Sequence, residues 1–176
     1  MNAHRLRTVA AAGTTLVAIG AASVQAGAAP SVTASAQITP TGVGAVKLGA
    51  THTSLHARHL VGKLIKGCEL SGPNARSARL AAPLKGSVDF TTTAPRKVTD
   101  IAVTGGAQAR GVGVGATIPA IKAAFPKAKV DHSTDQMFAL TFVTIPKNGG
   151  GKLQFGVSTQ THKVTLIGIP SIPVCE

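Results

Sequence analysis

The chain has no Trp and no Tyr, five Phe, two Cys, and six acidic side chains against 18 Lys and Arg. Each shortage excludes something. Two cysteines cannot build a disulfide-dense mini-protein or a Cys-rich zinc site. Without Tyr or Trp there is little to stack bases on, so nucleic-acid recognition is not expected. Charged residues make up 14%, well below the quarter or so of ordinary globular domains. Long apolar runs are missing too: Val9 to Ala22 is uncharged and apolar but falls short of the roughly 20 residues that span a bilayer.

What is present points to a folded, exported protein. Apolar residues make up 44% and the mean hydropathy is positive, so a core can be buried and wholesale disorder is excluded. A length of 176 residues suits one domain, or two small units sharing a core. His4, Arg5 and Arg7 precede the Val9–Ala22 run, and Val24-Gln25-Ala26 and Ala26-Gly27-Ala28 both fit the small-x-small cleavage pattern. Residues 1–26 therefore read as a signal peptide, and the product as secreted or envelope-associated with no transmembrane segment after cleavage. Removing them takes away Arg5 and Arg7 and leaves 16 basic and 6 acidic side chains, a net charge of +10.

In an oxidising compartment Cys68 and Cys175 are expected to pair. A bridge closing a loop of roughly a hundred residues contributes on the order of 4 kcal/mol in the chain-entropy model.

Residues 27–40 are rich in Ala, Ser, Thr and Pro and read as a mostly flexible lead-in, with Ile38 entering the first strand. The remainder repeats itself. Val46-Lys47-Leu48-Gly49-Ala50-Thr51 aligns with Val112-Gly113-Val114-Gly115-Ala116-Thr117, and Lys97-Val98-Thr99-Asp100-Ile101 with Lys163-Val164-Thr165-Leu166-Ile167. Both alignments have an offset of 66 and four identities, which indicates duplication, with units at residues 41–104 and 109–175.

Thr51 and Thr117 suit helix N-caps, and Pro119 suits a first helical turn. Ile118, Ile121 and Phe125 form one apolar face before Pro126 ends the helix. Phe138, Leu140 and Phe142 alternate with smaller or polar residues, as do Leu153, Phe155 and Val157, with Asn148-Gly149-Gly150-Gly151 as the turn. Leu64–Leu70, Arg79–Leu84, Ser87–Thr92 and Val98–Val103 are the corresponding strand material of the first unit. The expected class is α+β: two tandem units, each a short helix packed on an antiparallel sheet of about four strands.

The segments GVGAVKLGATHTSL and RGVGVGATIPAIKAAF, with the terminal Cys, resemble actinobacterial secreted proteins built from two tandem units. These are related in architecture to β-lactamase inhibitory protein and, more distantly, to the small outer-membrane assembly lipoproteins. The likeness spans residues 42–175 and implies that fold. It carries over no functional residue. The inhibitor's binding surface is rich in Tyr and Trp, and the lipoproteins need an acylated N-terminal Cys; this chain has neither feature.

Candidate chemistry is sparse. On a helix starting at Thr51, His52, His56 and His59 fall on one face and could bind Zn²⁺, Cu²⁺ or Ni²⁺. The 66-residue offset places His52 and His59 on the core positions of Ile118 and Phe125, so His59 is expected packed and His56 solvated. Gly111-Val112-Gly113-Val114-Gly115-Ala116 fits the loose dinucleotide pattern, but no parallel βαβ unit follows; Gly49 and Gly115 are expected to permit close strand–helix packing. Asp131-His132-Ser133-Thr134-Asp135 suggests a calcium loop or a triad, and reads best as a polar connection. No spacing singles out a carboxylate pair, although Asp100 is unusual in aligning with Leu166.

The expected function is a monomeric, non-enzymatic secreted binding protein without cofactor, metal or catalytic residues, its sheet faces presented to an extracellular protein partner as in an inhibitor. The alternatives are a basic protein held by anionic envelope polymers, and a secreted hydrolase or metal-binding protein using His52, His56 or Asp100.

Overall fold

The computed structural model describes residues 35–147 and 151–174. The expected signal peptide, all of the lead-in before Ser35, the Asn148-Gly149-Gly150 turn and Cys175 lie outside the described residues.

Among the described residues thirteen strands and three short α-helices follow in order. First come β1 (Ala36–Thr39), β2 (Gly42–Val43), β3 (Val46–Lys47), α1 (His52–Ala57) and β4 (Ile65–Lys66). A 3-10 turn at Glu69–Ser71 leads to β5 (Arg76–Arg79), β6 (Lys85–Phe90) and β7 (Val98–Gly105). Then come β8 (Ala107–Ala109), β9 (Val112–Gly113), α2 (Ile118–Ala124), β10 (Lys129–Asp131) and α3 (Asp135–Phe138). The chain finishes with β11 (Leu140–Lys147), β12 (Gly151–Ser158) and β13 (Val164–Ile169). The architecture is mixed, mostly strand.

Two sheets form. One has eight strands in the order β10-β11-β12-β13-β7-β6-β5-β4, all neighbours antiparallel. The other has five, β3-β2-β1-β8-β9, with β1 parallel to β8. The four-strand sets expected separately thus join edge to edge through β13 and β7, where Ile167 faces Val103 and Ile169 faces Ile101.

One face of the large sheet is committed to the core. Val88, Ile101, Val103, Val143, Phe155, Ile167 and Ile169 are all fully buried, in one cluster with Val43 and Val46 of the small sheet and with Leu55 and Ile121, the inward residues of α1 and α2. The helices are too short to hold themselves together and depend on this burial.

The same hydrogen-bond pattern occurs at both pairs of matching segments. The amide of Gly49 donates to the carbonyl of Val98 (2.8 Å), and that of Val98 to Ala50 (2.9 Å). Sixty-six residues on, Gly115 donates to Val164 (2.8 Å) and Val164 to Ala116 (2.8 Å). The two sequence blocks alike at that offset are the two that bond to each other. Gly49 and Gly115 have φ of +78° and +90°, and a Cβ on either would meet nothing within 4 Å. Backbone conformation, not close packing as expected, selects glycine there.

Thr51 accepts a cap bond from the Ser54 amide (3.3 Å), but Thr117 makes no side-chain cap bond. Phe138 belongs to α3, not to a strand, because Thr134–Phe138 winds into one turn. In the first half, Leu64–Leu70 yields only the two-residue β4 before the 3-10 turn, and β5 starts at Arg76 and stops at Arg79.

Candidate functional site

The outer face of the eight-stranded sheet carries the polar chemistry. Cross-strand register puts Ser77 of β5 opposite Asp89 of β6, and Asp89 opposite Asp100 of β7. Side chains directly opposite in an antiparallel pair lie close, and like charges there repel. Two of the six acids of a strongly basic chain therefore face each other.

The surroundings hold the pair in place. Ser77 is 8% exposed and its hydroxyl donates to Asp89 Oδ1. The Ser171 hydroxyl donates to Asp100 Oδ1 at 3.2 Å. Ser171 sits on the C-terminal strap, residues 170–174, which turns back after β13 and crosses the outer face: Ile172 is buried, and its amide donates to Gln154 Oε1 at 3.0 Å. Between the strap and the β6–β7 loop lies a cleft of about 620 Å³, with Arg76, Asp89, Thr91, Asp100, Ser171 and Val174 among its lining residues. The loop is ordered by its own bonds. The Arg96 guanidinium donates to the carbonyls of Asn74 (2.9 Å) and Thr91 (2.7 Å), and Thr91 Oγ1 accepts from the Lys97 amide (3.1 Å). Arg76 spends donors on the Pro73 (3.2 Å) and Ala75 (2.7 Å) carbonyls.

Burial raises the Asp89 carboxyl above its ordinary 3.8; the Ser77 hydrogen bond opposes this and the Asp100 charge adds to it. The folded state then holds this proton more tightly than the unfolded chain. This carboxyl's contribution to stability is full below 3.8 and is lost as pH rises through the raised folded value. Asp89→Asn keeps an acceptor for Ser77 and removes the titration. Its melting temperature relative to wild type is expected to be higher at pH 7 than at pH 3, measured by calorimetry at both. An equal difference at the two pH values would refute the assignment.

The other candidates resolve differently. Helix α1 stops at Ala57, so His59 (φ 55°) lies past its end and is exposed, not packed as expected. His52 and His56 stack at 5.3 Å and each commits a nitrogen to the following loop, His52 Nε2 to the Gly62 carbonyl and His56 Nδ1 to that of Val61, both 3.1 Å. Among the described residues, no three His, Cys, Asp or Glu side chains gather as a metal site. Gly111–Ala116 belongs to the β8–β9 hairpin and the entry to α2, with no βαβ unit.

Asp131 and Asp135 organise the β10–α3 connection. Asp131 accepts from the Ser133 amide (2.9 Å); Asp135 binds His132 Nδ1 (2.9 Å) and accepts from Thr141 Oγ1 (2.8 Å). These bonds hold both carboxyls below the usual range. Cys68 Sγ lies 4.0 Å from the carbonyl oxygen of Val174, the residue before Cys175.

Sequence reasoning marked Asp100 but missed Asp89, Ser77 and Ser171. The usable signal was Asp89 itself, in strand material beside the Asp100 strand; which residues face each other depends on two register shifts between β6 and β7. No helix among the described residues is long and apolar enough to cross a membrane. No family model matches the chain, and no curated protein and no solved structure matches it either.

Proposed function

We propose that the chain is an exported, non-catalytic binding protein that receives a basic side chain of a protein partner in the Asp89–Asp100 cleft. The observation that carries this is the facing acidic pair. Among the described residues the ion pairs are Lys66–Glu69 and His132–Asp135, so neither Asp89 nor Asp100 is matched by a cation among them. A Lys or Arg from a partner would relieve the repulsion and find hydroxyl acceptors around it.

Duplication of an ancestral unit accounts for the paired 66-residue matches, the repeated hydrogen bonds at Gly49 and Gly115, and the recurring element order from β2–β7 to β8–β13. The resemblance to two-unit inhibitors is in keeping with it. A Cys68–Cys175 bridge would fasten the strap that walls the cleft, which the place of Cys68 beside Val174 supports. A second reading is attachment to anionic envelope polymers, favoured because Lys66 alone of the Lys and Arg side chains is in an ion pair among the described residues.

One capture experiment tests both readings. Immobilised protein is exposed to culture fluid and envelope extract of the producing organism, alongside Asp100→Asn. The expected result is a protein retained by wild type, released by free arginine, and bound about tenfold or more weakly by the variant. Retention by both forms alike overturns the cleft reading. Polymer that leaves both forms at moderate salt establishes the envelope reading instead.

A further inference from the structure

A second cleft, of about 510 Å³, lies where β1, the β8–β9 turn and the end of α2 meet β11 and β12. That volume falls in the roughly 300–1,000 Å³ range of small-molecule sites. Its floor is core: Ile38, Ala109 and Leu153 are each at most 3% exposed. Pro40, Phe125 and Pro126 add apolar wall, and the cations at its edge are Arg110 and Lys127, with no acid lining it.

Arg110 is held ready. Its guanidinium carbon lies 5.2 Å from the centroid of the Phe125 ring, and Nη1 donates to the Ala124 carbonyl at 3.4 Å. Among the described residues its side chain makes no other hydrogen bond, and neither Arg110 nor Lys127 is in an ion pair. The backbone makes the placement more telling. Arg110 adopts a left-handed φ of 49°, a conformation that suits glycine, and 66 residues earlier Gly44 has φ 51° in the β2–β3 turn. A long cationic side chain occupies a position where local structure favours none.

We propose that this cleft binds a small monoanionic amphiphile, an apolar chain or ring bearing one carboxylate. The apolar part lies on Ile38, Leu153 and Phe125, and the carboxylate takes charge-assisted hydrogen bonds from Arg110, with Lys127 adding positive potential. The assignment is independent of the Asp89–Asp100 cleft, whose charge would repel such a ligand.

The test titrates the purified protein with sodium decanoate below its micelle concentration, followed by ¹H–¹⁵N NMR, with 1-decanol as the neutral probe. Saturable shifts are expected at the amides of Ala109, Arg110, Gly111, Phe125 and Lys127. Arg110→Gly relieves the turn and keeps the fold, which its melting temperature checks. Its decanoate affinity is expected to drop about tenfold or more while decanol binding is unchanged. Three results overturn the proposal: shifts that do not saturate, shifts confined to other parts of the chain, or decanoate bound equally well by Arg110→Gly.

Discussion

Phe155→Ala is expected to lower the unfolding free energy by about 3–5 kcal/mol and Tm by roughly 10 °C or more. Phe155 is fully buried on β12, between Val143 of β11 and Ile167 of β13 in register, with its ring 6.0 Å from that of Phe125. Removing the ring loses its transfer free energy and leaves a void that neighbouring strands, fixed by their ladders, cannot close. Met137→Ala is the matched control: Met137 is 71% exposed, so a change within about 0.5 kcal/mol is expected. Denaturant midpoints for the two variants check both values. A small effect at Phe155 would mean that the core is not centred on the joined sheet.

Gly168→Ala is the second large effect, and it acts through the strap. A Cβ at Gly168 would lie 2.3 Å from the carbonyl carbon and oxygen of Ser171 and 2.4 Å from the amide of Ile172. Those are backbone atoms, so the strap must lift. Lifting it exposes Ile172, worth about 1.5–3 kcal/mol of burial. It also breaks the Ile172–Gln154 and Ser171–Asp100 hydrogen bonds. Tm is expected to fall, the Ile172 amide to lose protection from hydrogen exchange, and the Asp89–Asp100 cleft to lose one wall. Unchanged Tm and unchanged exchange at Ile172 would show that the strap is not seated by this contact.

Much of the fold was legible because its signals are local. The Ile118–Phe125 spacing marked α2, the alternation through Leu153, Phe155 and Val157 marked β12, and Val98–Val103 lies within β7. The two pairs of blocks alike at the 66-residue offset make the same backbone hydrogen bonds, with glycine at positive φ in each. Of the site only Asp100 was legible, because cross-strand neighbours are set by register. Asp89 and Asp100 are 11 residues apart in sequence, and bulges decide which side chains share a face. The histidine stripe misled for a related reason: helical spacing says nothing about where a helix stops, and α1 ends before His59. The strap was hidden because Ile172 looks like any apolar residue near a terminus until it is seen over Gly156.

The order of the large sheet has one more consequence. Its outermost strands are β4, with two residues, and β10, with three, while the longest strands lie inside. So short a border leaves few unpaired backbone groups for a neighbouring molecule to zip onto, and both borders carry Lys, at Lys66 and Lys129. A sheet of eight strands that ended on long apolar borders would invite stacking into filaments; here short, Lys-bearing borders work against growth by strand addition.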